Sequence, residues 1–412
     1  MDYLKIEEVA AKWGISPRRL QTLCAQGKIE GATRFGRAWM IPRSAPKPAD
    51  GRTKAAREEK LFTDMPMPRK TPFLHMTNLY NAPGSAEKAI AALGDNYEAQ
   101  TLLAAEIAYS RGQIDRVYDS ANYLLEKHSG FYAVLSGGML LAQCAIWRGD
   151  LHMWRKAKIH IAEANAKDDR EREIITLAIC AVDSMLYNVK DFPEWFKIGC
   201  FEMLHRDSLP AAKVYYAKYL YATGHGLAAK TIELEGISGL ALMGLLPATI
   251  EPMISQAMAD NTVIAEIYLR LTCAVTYHFT KNTDQAIRHI DRAIALALPD
   301  KFYGILAEYC RTLGGLLEQR LRLVDEQAWE EVSHLFKRYV ENWSKLGSQI
   351  TGRQVIANLS KQQREVARLA AFKLSDAEIG ARLHMSVSGV KQAIRTIKQK
   401  SGLEREDFAA IL

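Results

Sequence analysis

The sequence predicts an all-α protein overall: a helical-hairpin solenoid flanked at each end by a small helix-turn-helix module, the first carrying a β-hairpin. Three observations lead there. Apolar residues recur at helical spacing from about Ser85 to Leu346, as in "EAQTLLAAEIAYSRG" and "TVIAEIYLRLTCAVTYHF". The stretches "GISPRRLQTL" (14 to 23) and "HMSVSGVKQAI" (384 to 394) share one pattern of apolar and small residues. Positive charge sits at the ends: residues 1–72 carry a net +7 and residues 353–412 a net +5, around a middle of −5. Charge so divided suits ends that meet a polyanion and a middle that does not.

The bulk numbers narrow the class. A chain of 412 residues calls for two or three domains, and 48% apolar with 25% charged residues is ordinary globular protein. The longest apolar run, "GISGLALMGLLPATI", is too short to span a bilayer and contains Pro247. The N-terminus lacks the basic-then-apolar layout of a signal peptide. Cys24, Cys144, Cys180, Cys200, Cys273 and Cys310 are scattered without a C-x-x-C pair, so neither a zinc site nor a disulfide framework is expected. A cytoplasmic location follows, with no membrane partner.

The first module occupies residues 1–45. Val9, Trp13, Ile15, Leu20 and Leu23 are spaced for two short helices crossing at a steep angle, with small Ala10 where the helices meet. Ser16 suits the N-cap of the second helix and Pro17 its first position. "GKIEGATRFGRAWMIPR" then reads as a hairpin turning at Gly36–Arg37. Residues 3 to 43 resemble the winged helix-turn-helix of the MerR and excisionase-like families. That resemblance places Ser16, Arg18, Arg19, Gln21 and Thr22 on the recognition helix and Arg34 and Arg37 on the wing. Arginine there offers bidentate contacts to guanine edges or phosphates.

Residues 46–84 read as a linker, because "PRSAPKPADGRTKAAREEKLFTDMPMPRKTP" is rich in proline and charge. Within the helical block, residues 85–346, a unit recurs: a helix rich in small residues, a tight polar turn, and a second helix carrying alanines. Two of its turns, at Gly112 and Gly149, lie 37 residues apart. The unit resembles tetratricopeptide repeats loosely, without their full consensus. In "VYYAKYLYATGHG" Tyr215 and Tyr219 share a helix face. Interhelical packing is one reading of them, and a ligand or peptide site on the solenoid's inner surface the other. The acidic run "AKDDREREII" reads as a helix start whose carboxylates complement the dipole.

Residues 347–358 form a second linker. "GSQITGRQ" has the G-x-x-x-x-G spacing of a phosphate loop, but Arg353 and Gln354 replace the Lys and Ser/Thr that hold phosphate and magnesium. The last module, residues 359–412, repeats the first one's intervals with Ile379, Leu383, Met385, Val390 and Ala393, and Gly380 in the place of Ala10. "LSKQQREVARLAAFKLSDAEIGARLHMSVSGVKQAIRTIKQKSGL" resembles the LuxR-type four-helix DNA-binding domain, with "EREDFAAIL" as its fourth helix. The resemblance starts the recognition helix after Ser388 and makes Ser388, Lys391, Gln392, Arg395 and Lys398 its contacts. Gly389, Ala393 and Gln363 depart from the family's pattern, which leaves open whether this module reads DNA or mainly dimerises.

Together these resemblances imply a bacterial transcription regulator whose partner is double-stranded DNA, with a homodimer and a small-molecule or protein effector on the solenoid left open. No Ser/His/Asp or Cys/His arrangement can be assembled, so no enzyme and no cofactor or metal is expected. An interaction scaffold whose end modules bind proteins is the alternative. A phage- or transposon-derived excision factor fits the front module alone, and the large middle argues against it.

Overall fold

The computed structural model describes residues 3–29, 31–36, 38–47, 79–127, 130–228, 239–352 and 359–411. The chain divides into two compact units, Met1–Pro66 and Met67–Leu412. It is mostly helical, with one small antiparallel sheet in the first unit. Among the described residues no helix is long and apolar enough to cross a membrane.

The first unit runs β1 (Tyr3–Lys5), α1 (Ile6–Trp13), α2 (Pro17–Ala25), β2 (Thr33–Phe35) and β3 (Ala38–Pro42). The expected hairpin is β2–β3, with Arg34 opposite Trp39. Unforeseen is β1, which pairs on the other edge of β3 with Leu4 opposite Ile41, so the sheet has three strands. Both helices cover it, packing Ile6, Val9, Trp13, Leu20 and Cys24 around Ile41 of β3.

The second unit continues with α3 (Ala86–Ala91), α4 (Tyr97–Arg111), α5 (Ile114–Lys127), α6 (Phe131–Arg148), α7 (Leu151–Ala162) and α8 (Asp169–Ser184). Next come α9 (Glu194–Lys197), α10 (Leu209–Ala228), α11 (Gly239–Ala259), α12 (Val263–Phe279), α13 (Thr283–Ala297), α14 (Tyr303–Leu313), α15 (Gly315–Val324) and α16 (Glu326–Thr351). The helical hairpins α4–α5, α6–α7 and α12–α13 turn where the repeated unit places its polar turns. Gly112 and Gly149 sit in the left-handed region, and the Asp150 and Asn282 side chains accept the Met153 and Gln285 amides. In the acidic run Asp168 caps α8 by accepting the Glu171 amide, as the dipole reading requires.

In a simple solenoid each repeat touches only its neighbours. Here α14 returns to pack on α4 and α16 on α6. The approach of α14 to the α4 turn is so close that a Cβ on Gly304 would lie 2.6 Å from the Gly112 nitrogen. At the second crossing Asn342 donates to the Trp147 carbonyl at 2.8 Å. The "GSQITGRQ" stretch is helical as far as Thr351, with Gly352 as the C-cap of α16; Arg353 and Gln354 lie outside the described residues.

The chain ends with α17 (Lys361–Ala371), α18 (Asp376–Leu383), α19 (Val387–Ser401) and a 3-10 helix over Arg405–Ile411. The last is a correction: the tail expected as a fourth α-helix is a tight 3-10 segment, whose buried Phe408 plugs the core formed by Val366, Ile379, Val390 and Ile397. This module is seated on the body: Phe372 meets Phe279 edge-on at 5.2 Å, and the Arg368 guanidinium lies over the same ring at 4.7 Å.

Candidate nucleic-acid interface

In the first unit α1 ends at Gly14 (φ 65°), where the chain swings round, and the Ile15 amide donates to the Ala10 carbonyl. Ser16 then caps α2 by accepting the Arg19 amide at 3.3 Å, with Pro17 at the first helical position. Buried Leu20 and Cys24 fix which way α2 faces. The opposite face carries Arg18, Arg19, Gln21 and Thr22, all exposed. The Thr22 hydroxyl donates to the Arg18 carbonyl, which leaves its methyl and both lone pairs for a ligand. Among the described residues no carboxylate pairs with Arg18, Arg19 or Arg34. Arg34 is exposed on β2; Arg37 lies outside the described residues.

One residue escaped the sequence reading. Phe35, beside the hairpin turn, is 82% exposed. The signal was present in "ATRFGRA", where strand alternation with Ala32 and Arg34 leaves the ring unassigned to the apolar face.

Turning to the C-terminal module, the same geometry recurs 370 residues on. His384 takes the left-handed conformation that Gly14 takes, the Met385 amide donates to the Gly380 carbonyl, and Ser386 caps α19 by accepting the Gly389 amide. With Ser386 as the cap and the Ser388 hydroxyl 3.0 Å from its own, α19 begins at Val387, earlier than the family resemblance implied. Lys391, Gln392 and Arg395 are exposed on the outer face of α19. Lys398 is less available, being half-buried and paired with Glu404. Gln363, a departure from the family pattern, completes a capping box at the start of α17 with Ser360.

Tyr215 and Tyr219 do not converge on one site. Tyr215 is buried in a group of tyrosines around Glu308, whereas Tyr219 stacks on Phe192 at 5.5 Å and Tyr216 at 6.1 Å. The Glu308 carboxylate accepts the Tyr109 hydroxyl at 2.7 Å and the Tyr268 hydroxyl at 3.3 Å and faces Lys218 at 3.4 Å. Burial pushes the Tyr109, Tyr268 and Tyr309 hydroxyls well above their usual value, so they stay protonated donors. Beside them is a cavity of about 50 Å³ with walls from Tyr187, Tyr221, Tyr339 and Trp343.

All six cysteines are free thiols. The sequence spacing had suggested no metal site, yet the fold brings ligand atoms of Glu251, Cys273 and His289, from α11, α12 and α13, within 4.8 Å of one another. Burial pushes the Cys273 thiol up to about 12 and holds His289 below its usual value, so both are neutral. The Tyr277 hydroxyl donates to Glu251 and its ring stacks on His289, whose Nδ1 is buried without a hydrogen-bond partner.

Residues 3–45 match a family described as a helix-turn-helix domain. No curated protein and no solved structure matches the chain.

Proposed function

We propose that the protein is a DNA-binding transcription regulator of the bacterial cytoplasm, with no catalytic activity, and that its N-terminal helix-turn-helix reads duplex DNA through α2. The observation that carries this is the exposed face of α2: Arg18 and Arg19 stand free of carboxylate partners beside Gln21 and Thr22, in a module whose residues 3–45 match a helix-turn-helix family. Unpaired arginines on such a helix cost nothing to redirect to phosphates or guanine edges. Arg34 on the β2–β3 hairpin supplies a flanking backbone contact.

The C-terminal module is the second hand. In support, its turn matches the first one hydrogen bond for hydrogen bond, and Lys391, Gln392 and Arg395 are exposed on α19. The LuxR-type resemblance favours DNA as its target, with dimerisation as its other use. The body between them, loosely akin to tetratricopeptide repeats, serves as the sensor.

The test is binding of genomic DNA fragments by the full chain and by an Arg18→Glu/Arg19→Glu variant across a salt series. The expected result is a steep fall of log affinity with log salt, with a slope of roughly 0.9 per phosphate contacted. The variant binds at least about tenfold more weakly with a shallower slope if both modules hold DNA, and not at all if only the first does. A flat salt dependence together with an unaffected variant overturns the proposal in favour of a protein-binding scaffold.

A further inference from the structure

The seat of the C-terminal module holds more buried positive charge than the fold neutralises. Arg311, at the end of α14, lies over the Trp343 ring at 4.1 Å and within 5.7 Å of the Tyr187 ring centre, yet its Nη2 is buried without a hydrogen-bond partner. Across the seam, Arg368 of α17 binds Glu365 through Nε and one terminal nitrogen, while its Nη1 is buried and unpartnered. Arg364, also of α17, donates to the Leu359 carbonyl, and its pKa is lowered by burial and by the neighbouring Arg311 charge. Arg364 and Arg368 thus have Glu365 as their nearby carboxylate, and Arg311 adds a third guanidinium beside Arg364. The other carboxylate at the cavity, Glu308, is occupied by Lys218, Tyr109 and Tyr268. Among the described residues none pairs its carboxylate with Arg311.

Leaving charged N–H groups buried and unsatisfied is costly in the low-dielectric interior. The cavity beside Arg311 offers the remedy. Its volume of about 50 Å³ holds roughly three waters' worth of probe positions, or one small oxyanion. Its walls are aromatic, with the Thr272 and Tyr309 hydroxyls among the polar groups. A planar guanidinium stacked on Trp343 directs its remaining N–H groups in its own plane, where an anionic oxygen accepts them.

We propose that this cavity binds a small oxyanion, a carboxylate or a phosphate group, on Arg311, and that occupancy tightens the seating of the C-terminal helix-turn-helix on the body. The coupling follows from charge: an anion at Arg311 relieves the repulsion that Arg364 and Arg368 meet when α17 docks. Positive linkage of this kind requires the anion to favour the docked state, and the shared arginines supply that difference. The site needs no DNA, so it stands or falls independently of the reading above.

Calorimetric titration of the full chain in chloride buffer at constant ionic strength, with acetate and separately with inorganic phosphate, tests it. At least one anion is expected to give saturable binding, and the preferred one names its source: phosphate for a phosphorylated ligand, acetate for an organic acid. Arg311→Gln is expected to weaken it by roughly tenfold or more, as befits loss of a charged hydrogen bond, with an unchanged circular dichroism spectrum. Arg311→Lys, which keeps the charge and loses the fork, falls between. The bound anion slows amide exchange in α17. Absence of saturable binding for both anions, or Arg311→Gln binding as the parent does, overturns the site. Binding without slower exchange in α17 overturns the coupling.

Discussion

At the scale of single residues, the first unit separates side chains that build from side chains that are offered. Leu20, Ile41 and Val9 are buried and hold the sheet to the helices, while among the described residues no carboxylate holds Arg18, Arg19 or Arg34. Phe35 belongs with the second group. An aromatic ring at the tip of a basic hairpin has a physical use when the hairpin meets DNA, since it inserts between sugars or base steps where the arginine alone only touches phosphate. Because the ring is 82% exposed, truncating it removes almost no packing. Phe35→Ala is therefore expected to leave the thermal melt of the full chain within about half a kcal/mol of the parent. It is expected to weaken DNA binding by about 1 kcal/mol, the low end for lost base–aromatic stacking. Fluorescence anisotropy with an enriched operator fragment measures the second effect. An unchanged affinity would return Phe35 to the ordinary exposed hydrophobics.

At the scale of elements, the two turns show what a local pattern carries and where it stops. The four-two-five-three spacing of apolar positions was enough to place α1–α2 and α18–α19, because a steep crossing permits only a small contact and a short turn. It also put the small residue at the right place. A Cβ on Gly380 would lie 2.7 Å from the Met385 carbonyl oxygen, a backbone atom that cannot step aside, whereas Ala10 carries its Cβ in the corresponding turn. The second turn is thus the tighter one. Gly380→Ala is expected to destabilise the C-terminal module by about 1–3 kcal/mol through overpacking, read as faster amide exchange in α18 and α19 with the first unit unaffected. Equal exchange in parent and variant would show that the turn opens at no cost.

The elements that the sequence reading missed have a common cause. The pairing of β1 with β3, the return of α14 onto α4, and the seat of α17 beside Phe279 all join segments far apart in the chain. Helical periodicity says which face is apolar but not which distant face covers it. Tyr215 and Tyr219 failed as a pair for the same reason: neighbours four apart on α10 are claimed by different partners, Glu308 and Phe192. The trio Glu251, Cys273 and His289 was invisible because its members share no spacing motif, only three successive helices. The 3-10 tail was misread because a four-residue turn and a three-residue turn use nearly the same apolar interval.

For the whole molecule, the question is how the helical body answers its surroundings, and two histidines make acidity one answer. His278, at the end of α12 where the C-terminal module sits, has its pKa lowered by burial and by Arg368, with Glu365 opposing. His289 is lowered by burial and by Arg270, with Glu251 opposing. A histidine depressed in the folded state is neutral there while its unfolded counterpart titrates near about 6.5. Above that pH neither form carries the proton and the stabilisation is complete. As pH falls through about 6.5 the unfolded chain takes up protons that the folded chain refuses, so stability drops until the folded pKa values are reached. Asp183 works in the opposite sense: burial raises its carboxyl, so acid partly relieves its cost. The melting temperature of the second unit is accordingly expected to fall between pH 7.5 and 5.5. His289→Gln should flatten that slope while leaving amide exchange at the α17 seat pH-dependent, because His278 remains. His278→Gln should remove the pH dependence at the seat. If neither variant changes the slope between pH 7.5 and 5.5, the acid response lies elsewhere, and the seat of the C-terminal module is insensitive to protons in that range.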